Sequence, residues 1–367
     1  MEKIELYNKL LAMVPVKCKE NEDFRKVVKA KLKSFMGSIG SLDLSERPED
    51  WDMIMSRAMQ LCNGINRAIE REYQGMRHSA YSAIKNQLDG YTTRGTEIKS
   101  LAYDFYILRV PKDTIMYRMR KVELEEQHNL KRKDMFHIPL DMKGLVQTQR
   151  YSVPGFPCLY LANGVYGCWE EMGRPDFGTV MVSRFKALQD FYVLDLRVPT
   201  KQDWDTNIQK SILFFPFVIA SMVQVKNSND NYKPEYLIPQ LLTEWIISHN
   251  KDITNKDKDQ NKEIIGILYT SAQKNKDFSY PEDCFDNYAI PVLNPLGSKK
   301  YCKRLIKLFQ LTAPTYYDLE MLKQKSVKNG GLYNKNPKDN RIQNYLLSHF
   351  GEMEAFIKDA PLDVVEE

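Results

Sequence analysis

The spacing of apolar residues changes period once along this chain, and that change limits the fold more than any other feature. In "INRAIEREYQGMRHSAYSAI", Ile65, Ile69, Tyr73, Met76, Ala80 and Ile84 recur at intervals of three and four. That spacing lines one face of a helix. From about residue 105 the apolar runs become short, β-branched or aromatic, and bounded by Pro, Gly or Asp: "YDFYILRV", "TIMYRMR", "PCLYLA", "GTVMVSRF", "DFYVLDLR" and "IIGILYTSA". Such runs are strands. Between them, "KSILFFPFVIASMVQV" and "YLIPQLLTEWIISHN" read as helices. The expectation is an α+β protein with a helical N-terminal domain at 1–105, a mixed α/β domain at 106–320 and a helical C-terminal extension at 321–367. The first boundary follows the glycine-interrupted "QLDGYTTRGTE", Gln87–Glu97.

A length of 367 residues with 43% apolar and 28% charged positions is an ordinary globular balance. The net charge of +5 permits an anionic ligand without requiring nucleic acid. Six cysteines, at 18, 62, 158, 168, 284 and 302, form no CxxC pair, and the five histidines are scattered. No metal site is expected. With no leader-like N-terminus, the thiols read as reduced and the protein as cytoplasmic. The longest apolar run, Ile212–Val223, is too short for a bilayer and contains Pro216, so it reads as a buried core element. The basic cluster Arg25–Ser34 reads as a solvated helix face, with Val27, Val28 and Leu32 inward.

Some polar residues sit where apolar ones would be ordinary. Arg118 lies inside the strand "MYRMR" and must reach solvent or meet an anion. Arg150 precedes the Pro-Gly turn of "VPGFP", Tyr160 lies in the strand "CLYLA", and Glu170 and Glu171 close "GCWEE", which reads as a helix start. Ser271 ends the buried strand "GILYTS" and either caps that strand or faces a ligand. His137 in "FHIPLD" reads as structural.

Each signal is weak alone, but their order is not. "YRMR", "TQRYSVPGFPCLYLA", a glutamate eleven residues past Tyr160, "VLDL", "PQLLTEWI" and "GILYTS" follow one another between Tyr117 and Leu293. In that order they resemble the RES-domain family, named for its Arg, Glu and Ser. The resemblance implies a fold like that of the ADP-ribosyltransferases, NAD as substrate, and a bacterial toxin or defence effector restrained by a helix-turn-helix antitoxin. It assigns Arg118, Glu171 and Ser271 to catalysis, and Arg118, Arg150, Tyr160 and Ser271 to NAD. Glu171 is the family glutamate in an ungapped alignment, with Glu170 one residue away. Residues 1–105 have no counterpart in the compact relatives, which suggests a regulatory, interaction or homo-oligomer role for them.

These residue types suit cleavage of the nicotinamide–ribose bond. A carboxylate stabilises the oxocarbenium-like ribose, paired arginine hydrogen bonds hold a pyrophosphate, and a tyrosine face stacks on nicotinamide. The same cleft would serve an NAD glycohydrolase, an ADP-ribosyltransferase acting on protein, or a phosphorylase. A degenerate RES scaffold serving as an interaction module is the reading from a different class. No G-x-G-x-x-G fingerprint is present, which disfavours a Rossmann dehydrogenase.

Overall fold

The computed structural model describes residues 1–93, 96–98, 107–123, 129–254, 263–273, 280–293, 297–316 and 340–366. The start of the expected strand at 103–106, most of the polar stretch before Ile264 and the first part of the C-terminal extension, 321–339, lie outside the described residues. In chain order the strands are β1 (Tyr91–Thr93), β2 (Thr96–Ile98), β3 (Ile107–Val110), β4 (Ile115–Lys121), β5 (Cys158–Ala162) and β6 (Val180–Ala187). They continue with β7 (Phe191–Leu196), β8 (Ile264–Thr270), β9 (Asp286–Pro291), β10 (Phe309–Thr312), β11 (Thr315–Tyr316) and β12 (Leu362–Asp363). With N-terminal helices followed by helices and strands mixed, the fold is α+β. No helix among the described residues is long and apolar enough to cross a membrane.

The chain forms two compact units whose segments interleave. The first comprises Met1–Leu108, Thr148–Val153 and Tyr192–Ile267; the second comprises Arg109–Gln147, Pro154–Phe191 and Leu268–Glu367. The first segment of unit 1 ends near the boundary expected at 105, but the unit also takes in chain from beyond that boundary.

Packing in unit 1 explains this. The helix Phe24–Gly40 starts where the Asp23 side chain accepts from the Arg25 N–H, and it buries Val28, Leu32, Phe35 and Ile39. Its lysines stay on the outer face, as expected for a solvated basic stripe. The helix Ile208–Ser221 is apolar and buried along its length, so it needs partners on several sides. The amphipathic N-terminal helices supply them, and Phe35 stacks on Phe215 at 6.0 Å. The face drawn from Ile65 to Ile84 is not one helix. Gly75 takes φ +76° and ends the helix Trp51–Tyr73 before a second runs over Arg77–Asp89. Tyr73 and Met76 flank that break and are exposed, whereas Ile65, Ile69, Ala80 and Ile84 are buried.

In unit 2, antiparallel strands follow the order β12-β10-β6-β4-β5-β9, with β11 also on β6. The β4–β6 pair is long, from Ile115↔Lys186 to Lys121↔Val180. By contrast, β4 and β5 share a single register pair, Tyr117↔Ala162. The β4–β5 ladder is therefore short, and strand alternation puts Arg118 and Ser183 on one face of the sheet and Tyr160 with the helix Val165–Glu171 on the other. One face of these strands carries the cluster of Tyr117, Met119, Ala162, Val180 and Val182, on which the helix Val165–Glu171 packs through Val165, Tyr166 and Cys168.

Candidate active site

The helix Val165–Glu171 begins at Gly164, which offers no side-chain cap. It ends in paired bonds that turn the chain sharply: Arg174 N–H donates to Trp169 O at 3.0 Å, and Gly173 N–H donates to Glu170 O at 3.0 Å. This is the Schellman arrangement, with Gly173 at φ +76° taking the left-handed position. The two glutamates thus lie in the last turn, not at a helix start. Gly173 followed by Pro175 was the sequence signal for that end. The correction matters electrostatically, because carboxylates oppose the negative end of the helix dipole and need other stabilisation.

Glu170 has that stabilisation from a hydroxyl and a guanidinium. Glu170 is buried, accepts from the Tyr166 hydroxyl, and is clamped by Arg174 through Nη2 at 2.8 Å and Nε at 3.2 Å. Arg174 holds φ +59°, a conformation that is rare for a residue with a Cβ. Glu171 is half-buried, and its Oε1 accepts from Asn287 Nδ2 at 3.5 Å, a long contact. The Asn287 amide also donates to Phe285 O at 3.0 Å, and that carbonyl accepts from the Ser271 N–H at 2.9 Å. A bridge of hydrogen bonds thereby joins Glu171 on the helix to Ser271 at the end of β8. The Ser271 side chain is fully buried, and its Oγ accepts from the Gln273 N–H at 3.0 Å. Of the two expectations for Ser271, this geometry is that of a strand-end cap.

Arg118 reaches from β4 to the backbone of β5. Its Nη1 donates to Tyr160 O at 2.9 Å, and its Nε is buried without a hydrogen-bond partner. Burial lowers the guanidinium to about 10, so it stays protonated at neutral pH. Across the β4–β6 ladder, Arg118 faces Ser183, whose fully buried hydroxyl also has no partner. Alternation along β4 gives these two residues the same face, opposite to that of Tyr117 and Met119. The Cys168 thiol lies within electrostatic reach of both Arg118 and Glu171, and burial pushes it up to about 12. Tyr160 is half-buried and shares its strand face with Ala162, the face on which the glutamate helix packs.

Arg150 belongs to unit 1, and the other four candidates belong to unit 2. It is buried, donates through Nη1 to Ser221 O at 2.8 Å and Val223 O at 3.0 Å, and lies 5.2 Å from the Tyr236 ring centroid. These contacts satisfy carbonyls at and just past the C-terminus of the helix Ile208–Ser221, a structural task. His137 is structural as well. Its Nε2 accepts from the Cys302 N–H at 2.9 Å while Nδ1 lies 2.7 Å from Ile138 O, and burial lowers it to about 4. Ser183 and Asn287 are the residues that sequence reading missed. Each is a small polar residue within an otherwise apolar run, "VMVSRF" and "NYAIPV", which was the available signal.

No family model matches the chain, and no solved structure matches it. The chain is similar to a Bacillus subtilis (strain 168) protein named "Putative toxin YopC", at 31% identity over 312 residues covering 80% of this chain. It spans 66% of that relative's length, slightly under two thirds. Identity at this level, sustained over most of the chain, makes the two proteins homologues.

Proposed function

We propose that this protein cleaves the nicotinamide–ribose bond of NAD and acts as a toxin, with the RES resemblance as the source of the substrate assignment. The observation that carries this reading is Arg118. A guanidinium with a buried, unpartnered Nε and, among the described residues, no carboxylate bonded to it is costly unless an anion completes it. The pyrophosphate of NAD supplies such an anion and accepts paired hydrogen bonds. Glu171 is the carboxylate for the ribose, because Glu170 is already committed to Tyr166 and Arg174.

In the proposed reaction the C1′–N bond breaks and its electron pair stays on the nicotinamide nitrogen, neutralising the pyridinium. The positive charge left on the ribose faces Glu171, which stabilises it most in the transition state. Water then adds to C1′ and loses a proton, giving ADP-ribose. Tyr160 stacks on the nicotinamide, and the Ser271 backbone holds Glu171 in place through Phe285 and Asn287.

The test is incubation of the full chain with NAD, followed by separation of nicotinamide, ADP-ribose and modified protein. Release of free nicotinamide that vanishes in Glu171→Gln is the expected result. ADP-ribose found on protein, or ADP-ribose 1″-phosphate formed in phosphate buffer, would change the acceptor but keep the bond cleaved. No nicotinamide under any of these conditions overturns the assignment.

A further inference from the structure

The helix that carries Glu171 lacks a cap of its own, and a distant residue supplies one. Gly164 has no side chain to offer the first turn. Instead the Val165 N–H donates to Glu354 Oε1 at 2.7 Å, and the Tyr345 hydroxyl donates to the same oxygen. Glu354 comes from the helix His349–Ile357 and Tyr345 from the short helix Asn340–Leu346 before it. The fit depends on glycine, since a Cβ at Gly164 would lie 2.6 Å from Tyr345 Oη. The same C-terminal hairpin holds the glutamate helix by its rings. Phe350 packs on Tyr166 at 4.9 Å and on Trp169 at 5.3 Å between centroids.

We propose that Glu354 is a positioning residue for Glu171, capping the glutamate helix from the C-terminal hairpin and thereby regulating the site. The role assigned to Glu171 rests on the reading above; the cap itself does not. The first N–H groups of a helix have no partner within it, so one acceptor at that end fixes where the helix starts. With the start fixed at Glu354 and the end fixed at Gly173, only seven residues lie between. Any loosening at Val165 is therefore felt at Glu171.

Both protonation states of Glu354 accept from these donors, but the charged form carries a burial cost that the neutral form does not. Burial pushes the Glu354 carboxyl up to about 7 from an ordinary 4.5, against the lowering effect of its two donors. The groups that face it are Tyr345 on the preceding helix, Asp283 and Cys284 on the turn before β9, Tyr117 on β4 and Cys168 on the glutamate helix. Arg184 on β6 acts on the same Tyr117. Since the folded value is raised, the neutral form is the one the fold favours. Its contribution is complete below about 4.5 and lost as pH rises through about 7. A neutral carboxyl still accepts from both donors through one oxygen, and so does an amide.

The experiment uses the full chain with Glu354→Gln and Glu354→Leu, reading hydrogen exchange over Val165–Glu171 together with kcat and KM for NAD from about pH 5 to about pH 9. Glu354→Gln should keep slow exchange and wild-type kcat and lose the decline in exchange protection above about pH 7. Glu354→Leu should speed exchange over the helix about tenfold and lower kcat about tenfold with little change in KM. Unchanged exchange and kcat in Glu354→Leu overturn the proposal, and so does an unaltered pH profile of exchange in Glu354→Gln, which remains readable if the leucine variant fails to fold. Faster exchange in the leucine variant of a chain whose wild type never releases nicotinamide supports the cap and refutes the NAD reading separately.

Discussion

Each of the two compact units takes an arginine Nε or guanidinium out of solvent, and the surroundings differ. In unit 1, Arg57 donates to Gln60 Oε1 at 3.0 Å and to Gln87 O at 2.5 Å, and Arg150 donates to Ser221 O and Val223 O. Both donate to neutral acceptors that give the charge a local role, although the Arg57 Nε makes no hydrogen bond either. In unit 2, Arg118 has one carbonyl, an orphan Nε and an orphan serine hydroxyl across the ladder. Burying a charge without full compensation costs several kcal/mol. The lesson is that a buried arginine by itself says little. An orphan Nε is common to Arg57 and Arg118; what sets Arg118 apart is the unpartnered Ser183 hydroxyl facing it across the ladder.

The same contrast appears within one helix turn, and it gives the largest expected effect. Glu171→Gln should leave the melting temperature unchanged and lower turnover by about two to four orders of magnitude. Glu170→Gln should do the reverse in kind. Losing the charge that Arg174 and Tyr166 share should destabilise the fold by roughly 1.5–3 kcal/mol, the range for hydrogen bonds to charged groups. Thermal melts beside nicotinamide release separate the two. If Glu170→Gln is the inactive variant with an unchanged melt, the two carboxylates have been assigned the wrong way round.

The arginines come next. Arg118→Ala should weaken NAD binding by roughly 1.5–3 kcal/mol, measured calorimetrically in the Glu171→Gln background, with little loss of stability. Arg118→Lys should restore it only in part, because a point charge cannot form the paired contact. Arg150→Ala should lower stability by roughly 1–3 kcal/mol through two abandoned carbonyls while sparing NAD affinity. A loss of NAD affinity in Arg150→Ala without a change in melting would return that residue to the pyrophosphate role the resemblance gave it.

These differences show which parts of the molecule could be read from the sequence. The change of period announced the α+β class, and the uniformly apolar Ile212–Val223 announced a buried element, because periodicity and burial are local properties of composition. Arg118 stood out because it breaks its own strand's pattern. The contacts of Arg150 could not be read, since its partners are backbone carbonyls about seventy residues away, and any residue type at Ser221 or Val223 would present the same oxygen. Glu354 left no local trace, because the cap it supplies belongs to a helix 189 residues earlier. The domain boundary was drawn at a change of texture, whereas the units follow packing. The helix Ile208–Ser221 needs the N-terminal helices, so a cut near residue 105 would divide the core of unit 1.

The smallest expected effect tests the comparison most finely. Ser183 is fully buried with an unpartnered hydroxyl, facing Arg118 in register. If that hydroxyl were structural, replacing it with hydrogen would remove a useful hydrogen bond. Here it has none to lose in the free protein, so Ser183→Ala should leave stability unchanged or raise it slightly, since an uncompensated polar group is relieved. With NAD present the sign reverses. A hydroxyl beside Arg118 can donate to the same phosphate oxygen, and its loss should weaken binding by roughly 0.5–1.5 kcal/mol, the range of one neutral hydrogen bond. The double variant Ser183→Ala, Arg118→Ala then measures their coupling: contacts to one anion should be non-additive, whereas independent residues would add. Ser183→Ala that destabilises the free protein by about 1 kcal/mol or more, with NAD affinity untouched, would mean that water already satisfies this pair. Unit 2 would then bury its arginine no differently from unit 1.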